Sequence, residues 1–369
     1  MRRTELQAAL GELFVIGFDG KTLDPDTRHL LRSVRPGGVI LFKRNLEAPD
    51  QILHLTREIQ ATNPARPLLV AVDQEGGRVW RLPPPFTFFP EARTLGRAGR
   101  DSLAYATARV MALELGAVGI HCNLAPVLDL DTNPANPVIG DRALGADPGQ
   151  VARLARSILQ GFRDHGIAGC GKHFPGHGDT DSDSHHTLPT VNLDRETLLS
   201  REVAPYRILL GDHRRALEMI MTAHLLVPAL DPAMPATLSR PILEGILRRQ
   251  LGFQGVIITD DLEMKAVSER FPPAQAALLA FRAGADLLLC CHTPTLLPLC
   301  VDTLCRSIER GGISRRRLSR SLGRIRAFRN QLFRRTPSEP VRQTLFRRIG
   351  CPGHRQVALE ALSQRTPPE

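Results

Sequence analysis

The sequence predicts an α/β fold, a single-domain (β/α)8 barrel of the TIM type with a C-terminal helical extension. Three observations carry that expectation. The chain has 369 residues, of which 42% are apolar, enough for one large core. Eight short apolar runs alternate with longer amphipathic segments, as buried parallel strands and their covering helices do. Nearly every run also finishes on a charged or imidazole residue. In a barrel those ends converge on one face, whereas a doubly wound open sheet, the competing topology, spreads them along an edge.

The runs are 13–19, 38–42, 68–73, 123–129, 168–173, 219–224, 256–260 and 286–291. Their ends carry Asp19, Lys43 just past the second, Asp73, Asp129, Lys172 with His173, His224, Asp260 with Asp261, and His292. Between them lie helices. Leu103, Ala106, Val110 and Leu113 share one face, and Gly116 is expected to stop that segment. Ser239 is placed to cap a helix with Pro241 in its first turn, and Gly252 to end it. Leu318, Leu322, Ile325, Phe328 and Leu332 keep helical spacing, which assigns the interleaved arginines to a solvated face. Beyond Pro337 and Pro340, the pattern Val357, Leu359, Leu362 predicts one more helix with frayed ends. The expected organisation is a catalytic barrel over 1–335 and a helical tail over 336–369, with no internal repeat.

Charge and cysteines narrow the class of partner. The formal charge is +10, yet only four of the 48 basic residues are lysines (Lys21, Lys43, Lys172 and Lys265). So lopsided a choice fits a coding bias, and no stacking aromatics interleave with the arginines, so no nucleic acid is expected. Cys122, Cys170, Cys290, Cys291, Cys300, Cys305 and Cys351 are odd in number, lie mostly in apolar runs and form no C-x-x-C pair. That usage suits buried thiols in a reducing, cytoplasmic setting. No apolar run reaches membrane length, and Glu5 and Glu12 interrupt the start of the chain, so neither a membrane span nor a signal peptide is expected. The expectation is a monomer with no cofactor.

The chemistry concentrates in the stretch 171–189, GKHFPGHGDTDSDSHHTLP, which follows the fifth run. It is too polar and too rich in Gly and Pro for a helix, and it holds four histidines with Asp179, Asp181 and Asp183 at alternate positions. A loop this long in a compact barrel is usually functional. His and Asp suit a metal, but the spacing follows no helical face and no H-E-x-x-H is present. Acid/base work by a His–Asp pair is the other chemistry. Asp183 lies two residues from His185, near enough in a tight turn to orient the ring and raise its pKa.

That loop, with AVDQEGGRVWRL at 71–82, NPVIGDRALG at 136–145 and GVIITDDLEM at 255–264, resembles glycoside hydrolase family 3. Within the family it is similar to the single-domain bacterial β-N-acetylhexosaminidases, over about residues 13–333. The resemblance implies a metal-free retaining glycosidase acting on terminal β-linked N-acetylglucosamine, most plausibly on muropeptide fragments of cell wall. It implies Asp260 as the nucleophile and His185, partnered by Asp183, as acid and then base; only the family register selects His185 over His186. The implied substrate-binding positions are Asp73, Arg81, Arg142, Lys172 and His173, with Glu75, Arg78 and Asp129 as supports. Trp80 and the proline run 83–85 depart from the family pattern beside Arg81. An alternative pairing of Asp73 with Arg142 is purely structural. Phosphorolysis at the same site, a metal-dependent barrel hydrolase and a non-catalytic sugar-binding protein remain the other readings. Glucoside-cleaving relatives generally draw their acid/base carboxylate from a second domain that this chain is too short to hold.

Overall fold

A computed structural model of the chain describes residues 2–180, 188–212 and 217–364. Eight parallel strands close in chain order into one barrel: β1 (Phe14–Ile16), β2 (Gly38–Leu41), β3 (Leu69–Val72), β4 (Cys122–Asn123), β5 (Ala168–Phe174), β6 (Met219–Thr222), β7 (Val256–Asp261) and β8 (Leu287–Cys290). Closure comes from β8 pairing with β1, Leu289 opposite Val15. The strands are buried and mostly apolar, with polar residues toward their C-terminal ends, because the barrel interior takes one face and the helix ring the other.

One strand is shorter than its run. Residues 124–129 still lie beside β5, where Ala125 and Pro126 accept from the N–H groups of Cys170 and Lys172, and Leu128 donates to the Lys172 carbonyl. The ladder is irregular there because Pro126 has no N–H to give.

The helices follow their patterns with small shifts. The segment predicted to stop at Gly116 runs over Asp101–Ala117, and the turn falls instead at Gly119. Its φ of +76° suits glycine, and a Cβ there would meet the Thr56 hydroxyl at 2.6 Å. The segment Pro241–Gln250 is wound as a π-helix, with the Ser239 hydroxyl accepting from the Ile242 N–H at 3.3 Å. The tail forms two helices, Glu339–Phe346 and Pro352–Leu362, instead of one. Leu359 faces solvent, while His354, Ala358 and Ala361 are buried. Buried Glu114 fixes the tail, accepting from His354 Nδ1, the Gly350 N–H and both donors of Thr87.

The long helix Arg315–Arg335 buries Leu318, Leu322, Ile325, Phe328 and Leu332 as its spacing requires. Its arginines correct the expectation of a purely solvated face. Three carboxylates sit at the N-terminal ends of strands: Glu12 ahead of β1, Glu218 ahead of β6 and Asp286 ahead of β8. Glu12 meets Arg66 at 2.5 Å, Arg326 at 2.7 Å and Arg329 at 3.6 Å. Glu218 takes both amino groups of Arg335. Asp286, fully buried, meets Arg248 at 2.5 Å and Arg324 at 3.0 Å, with Arg317 at 3.6 Å and the Ser321 hydroxyl also on it. Carboxylates left alone in that position would be costly, so the helix supplies their partners. All seven cysteines are unpaired thiols, six buried and Cys351 half-buried. Among the described residues no helix is long and apolar enough to cross a membrane.

Replacing Asp286 by Ala leaves Arg248, Arg317 and Arg324 facing one another without a counter-ion. The expected cost is about 3–5 kcal/mol of unfolding free energy, read from urea denaturation. A loss below about 1 kcal/mol would show that the cluster contributes no more than a surface ion pair.

Candidate active site

The C-terminal ends of the strands open on a cavity of about 190 Å³, contiguous with solvent. Its wall includes Asp73, Glu75, Arg81, Arg142, Lys172, His173, Asp260, Asp261 and His292, so it gathers the described residues proposed as nucleophile and substrate-binding groups, while the supports Arg78 and Asp129 lie behind it. Asp183 and His185 lie outside the described residues.

The β3 end supplies the first part. Asp73 and Glu75 line the cavity, while Gln74 between them turns inward. The Gln74 main chain is clamped by the Asn123 side chain at 3.0 and 2.8 Å, and its own Oε1 accepts from the Arg81 N–H at 2.8 Å. The turn that brings Arg81 back passes Gly76, at φ +113°, where a Cβ would fall 2.3 Å from the Pro90 carbonyl. Arg81 Nε is buried with no hydrogen-bond partner among the described residues.

Charge then ties three elements together. Arg142, on the turn Gly140–Arg142, grips Glu75 through two bonds of 2.8 Å. Lys172 at the β5 end reaches Glu75 at 2.6 Å and Asp73 at 2.8 Å. Asp73 and Arg142 therefore do not pair with each other; Glu75 takes the arginine and Lys172 takes Asp73. Burial alone would raise the Glu75 carboxyl, but the charges of Arg142 and Lys172 hold it well below the usual carboxylate range. Burial likewise works against the Lys172 ammonium, and Asp73 with Glu75 outweighs it and keeps the proton on. Arg78 braces the same turn through Asp141 at 2.9 Å and the Val138 carbonyl at 2.5 Å.

His173 is oriented from below. Its Nδ1 lies 2.6 Å from Asp129, a fully buried carboxylate that also accepts the N–H groups of His173 and His177. With Nδ1–H donated to Asp129, Nε2 is left for a ligand. His177 joins the cavity wall without having been assigned a role from sequence. It is buried, with Nδ1 2.9 Å from the Thr180 hydroxyl, and burial pulls its pKa down to about 4. Both donors of the Asn136 amide nitrogen hold the carbonyls of His177 and Gly178, which fixes the stem of the histidine-rich loop.

Asp260 stands half-buried at the end of β7, and one oxygen accepts the Asp261 N–H at 2.8 Å. Burial pushes this carboxyl up, yet nearby His224, His173 and Lys172, with that N–H, hold it below its ordinary value. Asp261 does not cap the next helix, whose N-cap is Met264. It ties β7 to the β8 end instead, accepting from the Cys291 N–H and meeting His292 at 3.1 Å.

Four other strand ends fall outside the cavity wall. Asp19 is exposed and pairs with Arg44, and Lys43 opens a short helical turn. Asp129 lies beneath His173. His224 is buried between Thr237 and the Asp261 carbonyl. Ile40, Phe42, Val79, Met221, Met264, Leu289 and Cys291 supply apolar wall that sequence reasoning left unassigned, although Ile40 and Phe42 end a predicted strand.

Fixed, charged hydrogen-bond donors and acceptors around an accessible carboxylate, at the C-terminal rim of a barrel, form the kind of site at which barrel enzymes bind polar small molecules. The chain belongs to glycoside hydrolase family 3 and is a glycosidase: the family pattern described as the Glycosyl hydrolase family 3 N terminal domain matches residues 5–328. A protein named Beta-hexosaminidase from Alkalilimnicola ehrlichii is 42% identical over 295 residues, covering 78% of this chain and 83% of the relative. A family 3 beta-N-acetylglucosaminidase from Paenibacillus sp. is 41% identical with a TM-score of 0.86, over 93% of this chain and 68% of that one. NagZ from Neisseria gonorrhoeae, in complex with N-trifluoroacetyl-D-glucosamine, is 32% identical with a TM-score of 0.79, over 96% and 98%.

Because Glu75 holds both cations of the cradle, Glu75→Gln should lower kcat/KM for glycoside hydrolysis by about tenfold or more, with cooperative thermal unfolding retained. Wild-type kinetics in that variant would remove the cradle from substrate binding.

Proposed function

We propose that the protein is a retaining exo-β-N-acetylglucosaminidase that forms a covalent glycosyl-enzyme on Asp260. The observation that carries this reading is the state of that carboxylate. It lines the same cavity as Asp73, Arg142, Lys172 and His173, has its pKa drawn below the ordinary carboxylate value by nearby positive groups, and has no ion-pair partner among the described residues. A carboxylate so placed attacks the anomeric carbon from the face opposite the departing group and stabilises the oxocarbenium-like transition state. The Asp73–Lys172 and Glu75–Arg142 pairs, with Asp129-oriented His173 and Arg81, offer directed bonds to the sugar hydroxyls and acetamide. These groups are ordered before substrate arrives, so binding costs little reorganisation. The names of the relatives and the N-acylglucosamine-type ligand of the Neisseria structure support the hexosaminidase assignment.

Asp260 cannot protonate the leaving oxygen while it attacks. By family resemblance that role goes to His185, with Asp183 orienting its ring; His185 then activates the water that releases the sugar. The described stem of their loop is fixed by Asn136 and by Arg201 on Asp179 at 3.3 Å. We assign the natural substrate to peptidoglycan-derived muropeptides in the cytoplasm, in keeping with the unpaired thiols.

Asp260→Ala should fold normally and lose about a thousandfold or more of the turnover of an aryl N-acetylglucosaminide; full activity would remove Asp260 from the mechanism. Proton NMR of the first product should show the β-anomer, and the α-anomer would refute retention. His185→Ala should slow poor leaving groups far more than nitrophenolate, since only the former need a proton donor. Equal slowing would exclude the acid role. Sugar 1-phosphate appearing in phosphate buffer would redirect the second step to phosphorolysis.

A further inference from the structure

The part of the cavity wall that carries Arg81 is braced from outside the barrel. Val79 and Arg81 line the cavity, and the chain then runs through Pro83, Pro84 and Pro85 to Thr87 before the helix Ala92–Ala98. Proline fixes φ along this stretch, and the Phe86 N–H closes it back on the Pro83 carbonyl at 3.1 Å. At its near end the Gln74 side chain accepts from the N–H groups of Arg81 and Leu82, at 2.8 and 3.4 Å. A shift at Pro85 or Thr87 is therefore passed to Arg81 with little slack.

The far end of the stretch meets the C-terminal tail. Glu114, on the helix Asp101–Ala117, is buried between them. One of its carboxylate oxygens accepts from the Thr87 hydroxyl at 2.7 Å, the Gly350 N–H at 2.9 Å and His354 Nδ1 at 2.8 Å. The other accepts from the Thr87 N–H at 2.8 Å. A buried carboxylate depends on each of these donors, so losing one loosens its hold on the rest. The second contact is steric: Gly350 passes so close that a Cβ there would fall 2.0 Å from the Pro85 carbonyl oxygen. The tail lies past residue 328, where the family pattern ends, and the proline run departs from that pattern, so the two departures meet each other.

We infer that the tail is a positioning element of the substrate site, holding Arg81 in place through His354 on Glu114 and through Gly350 against Pro85. The assignment rests on the hexosaminidase reading for its substrate and goes beyond it: residues that touch no sugar set how tightly the sugar is held. The coupling is reciprocal, since a sugar bound at Arg81 steadies the tail as the tail steadies Arg81. The chain's single tryptophan, Trp80, reports on the stretch directly. It adjoins Arg81, is half-buried, and meets Phe88 edge-on with ring centroids 5.2 Å apart.

In the full chain, His354→Ala should raise KM for an aryl N-acetylglucosaminide about threefold or more and leave kcat within about twofold, the mark of lost binding shared by ground and transition states. Its Trp80 emission should move to longer wavelength. His354→Asn, which can still offer an N–H to Glu114, should restore both. Gly350→Ala should reproduce the rise in KM by pressing on Pro85. In the wild-type enzyme, which needs no variant to fold, saturating N-acetylglucosamine should slow amide hydrogen exchange over residues 346–356. If His354→Ala lowers the unfolding temperature but keeps wild-type KM and Trp80 emission, or if the sugar leaves that exchange unchanged, the tail only supports the fold and the assignment is wrong. If the wild-type enzyme does not cleave the aryl N-acetylglucosaminide, the hexosaminidase reading fails, and Trp80 emission in His354→Ala alone decides whether the tail holds the Arg81 stretch.

Discussion

Glu75 is a carboxylate that the fold has removed from water and enclosed between two cations. Each of the ions involved carries a desolvation cost of several kcal/mol, and none would persist buried without the others. Together Glu75, Arg142, Lys172 and Asp73 offset that cost through short, directed bonds, two of them bidentate from the arginine. The network joins the β3 end, the β5 end and the turn at 140–142, elements far apart in the chain. A change at any one of the four therefore disturbs the others, and the cavity wall is rigid on the side where a sugar would be held.

The opposite end of the barrel uses the same chemistry for a different purpose. There, Glu12, Glu218 and Asp286 receive arginines from the long helix and from Arg66 and Arg248. Arginine suits these positions because its planar fork meets a carboxylate with two parallel bonds and keeps its charge when buried. Part of the arginine excess thus has a structural use, whatever biased the choice over lysine. The sequence pattern could not show it. Helical periodicity marks which face is apolar, but the partner of Arg326 lies 314 positions away, at Glu12, and only closure of β1 against β8 brings them together.

The same distinction explains what was legible at the catalytic face. Strand ends were readable because apolar runs stop where polar residues begin, and a barrel must bring those ends together. This located Asp73, Lys172, His173, Asp260 and His292 on one wall before any geometry was known. It could not say which strand ends turn inward. Asp19 and His224 satisfy the same rule, yet Asp19 leaves the barrel to meet Arg44 and His224 serves beneath the floor. Nor could it choose between partners: Asp73 with Arg142 was as reasonable on paper as the observed Asp73 with Lys172. The tail was misread for a related reason, since Leu359 fits an apolar stripe but the anchoring contact is a polar one, His354 on Glu114. Asp183 and His185, which lie outside the described residues, rest on the family resemblance alone.

Among the described residues four carboxylates line the cavity, and their partners separate them. Asp73 faces Lys172, Glu75 faces Lys172 and Arg142, and Asp261 faces His292. Among the described residues Asp260 has a backbone N–H and the more distant field of His224, His173 and Lys172. A carboxylate clamped by a direct cation is a weak nucleophile, because its lone pairs are already committed and its charge is neutralised where it would be needed. One with no stabilising field would be protonated by burial instead. The Asp260 pKa is lowered by surroundings that form no ion pair with it among the described residues, and this is the physical ground on which the proposed role falls to Asp260 and not to its neighbour Asp261. The adjacent pair at the end of β7 thus divides the work. Asp261 ties the strand to β8 and raises the pKa of His292, leaving Asp260 with no ion-pair partner among the described residues.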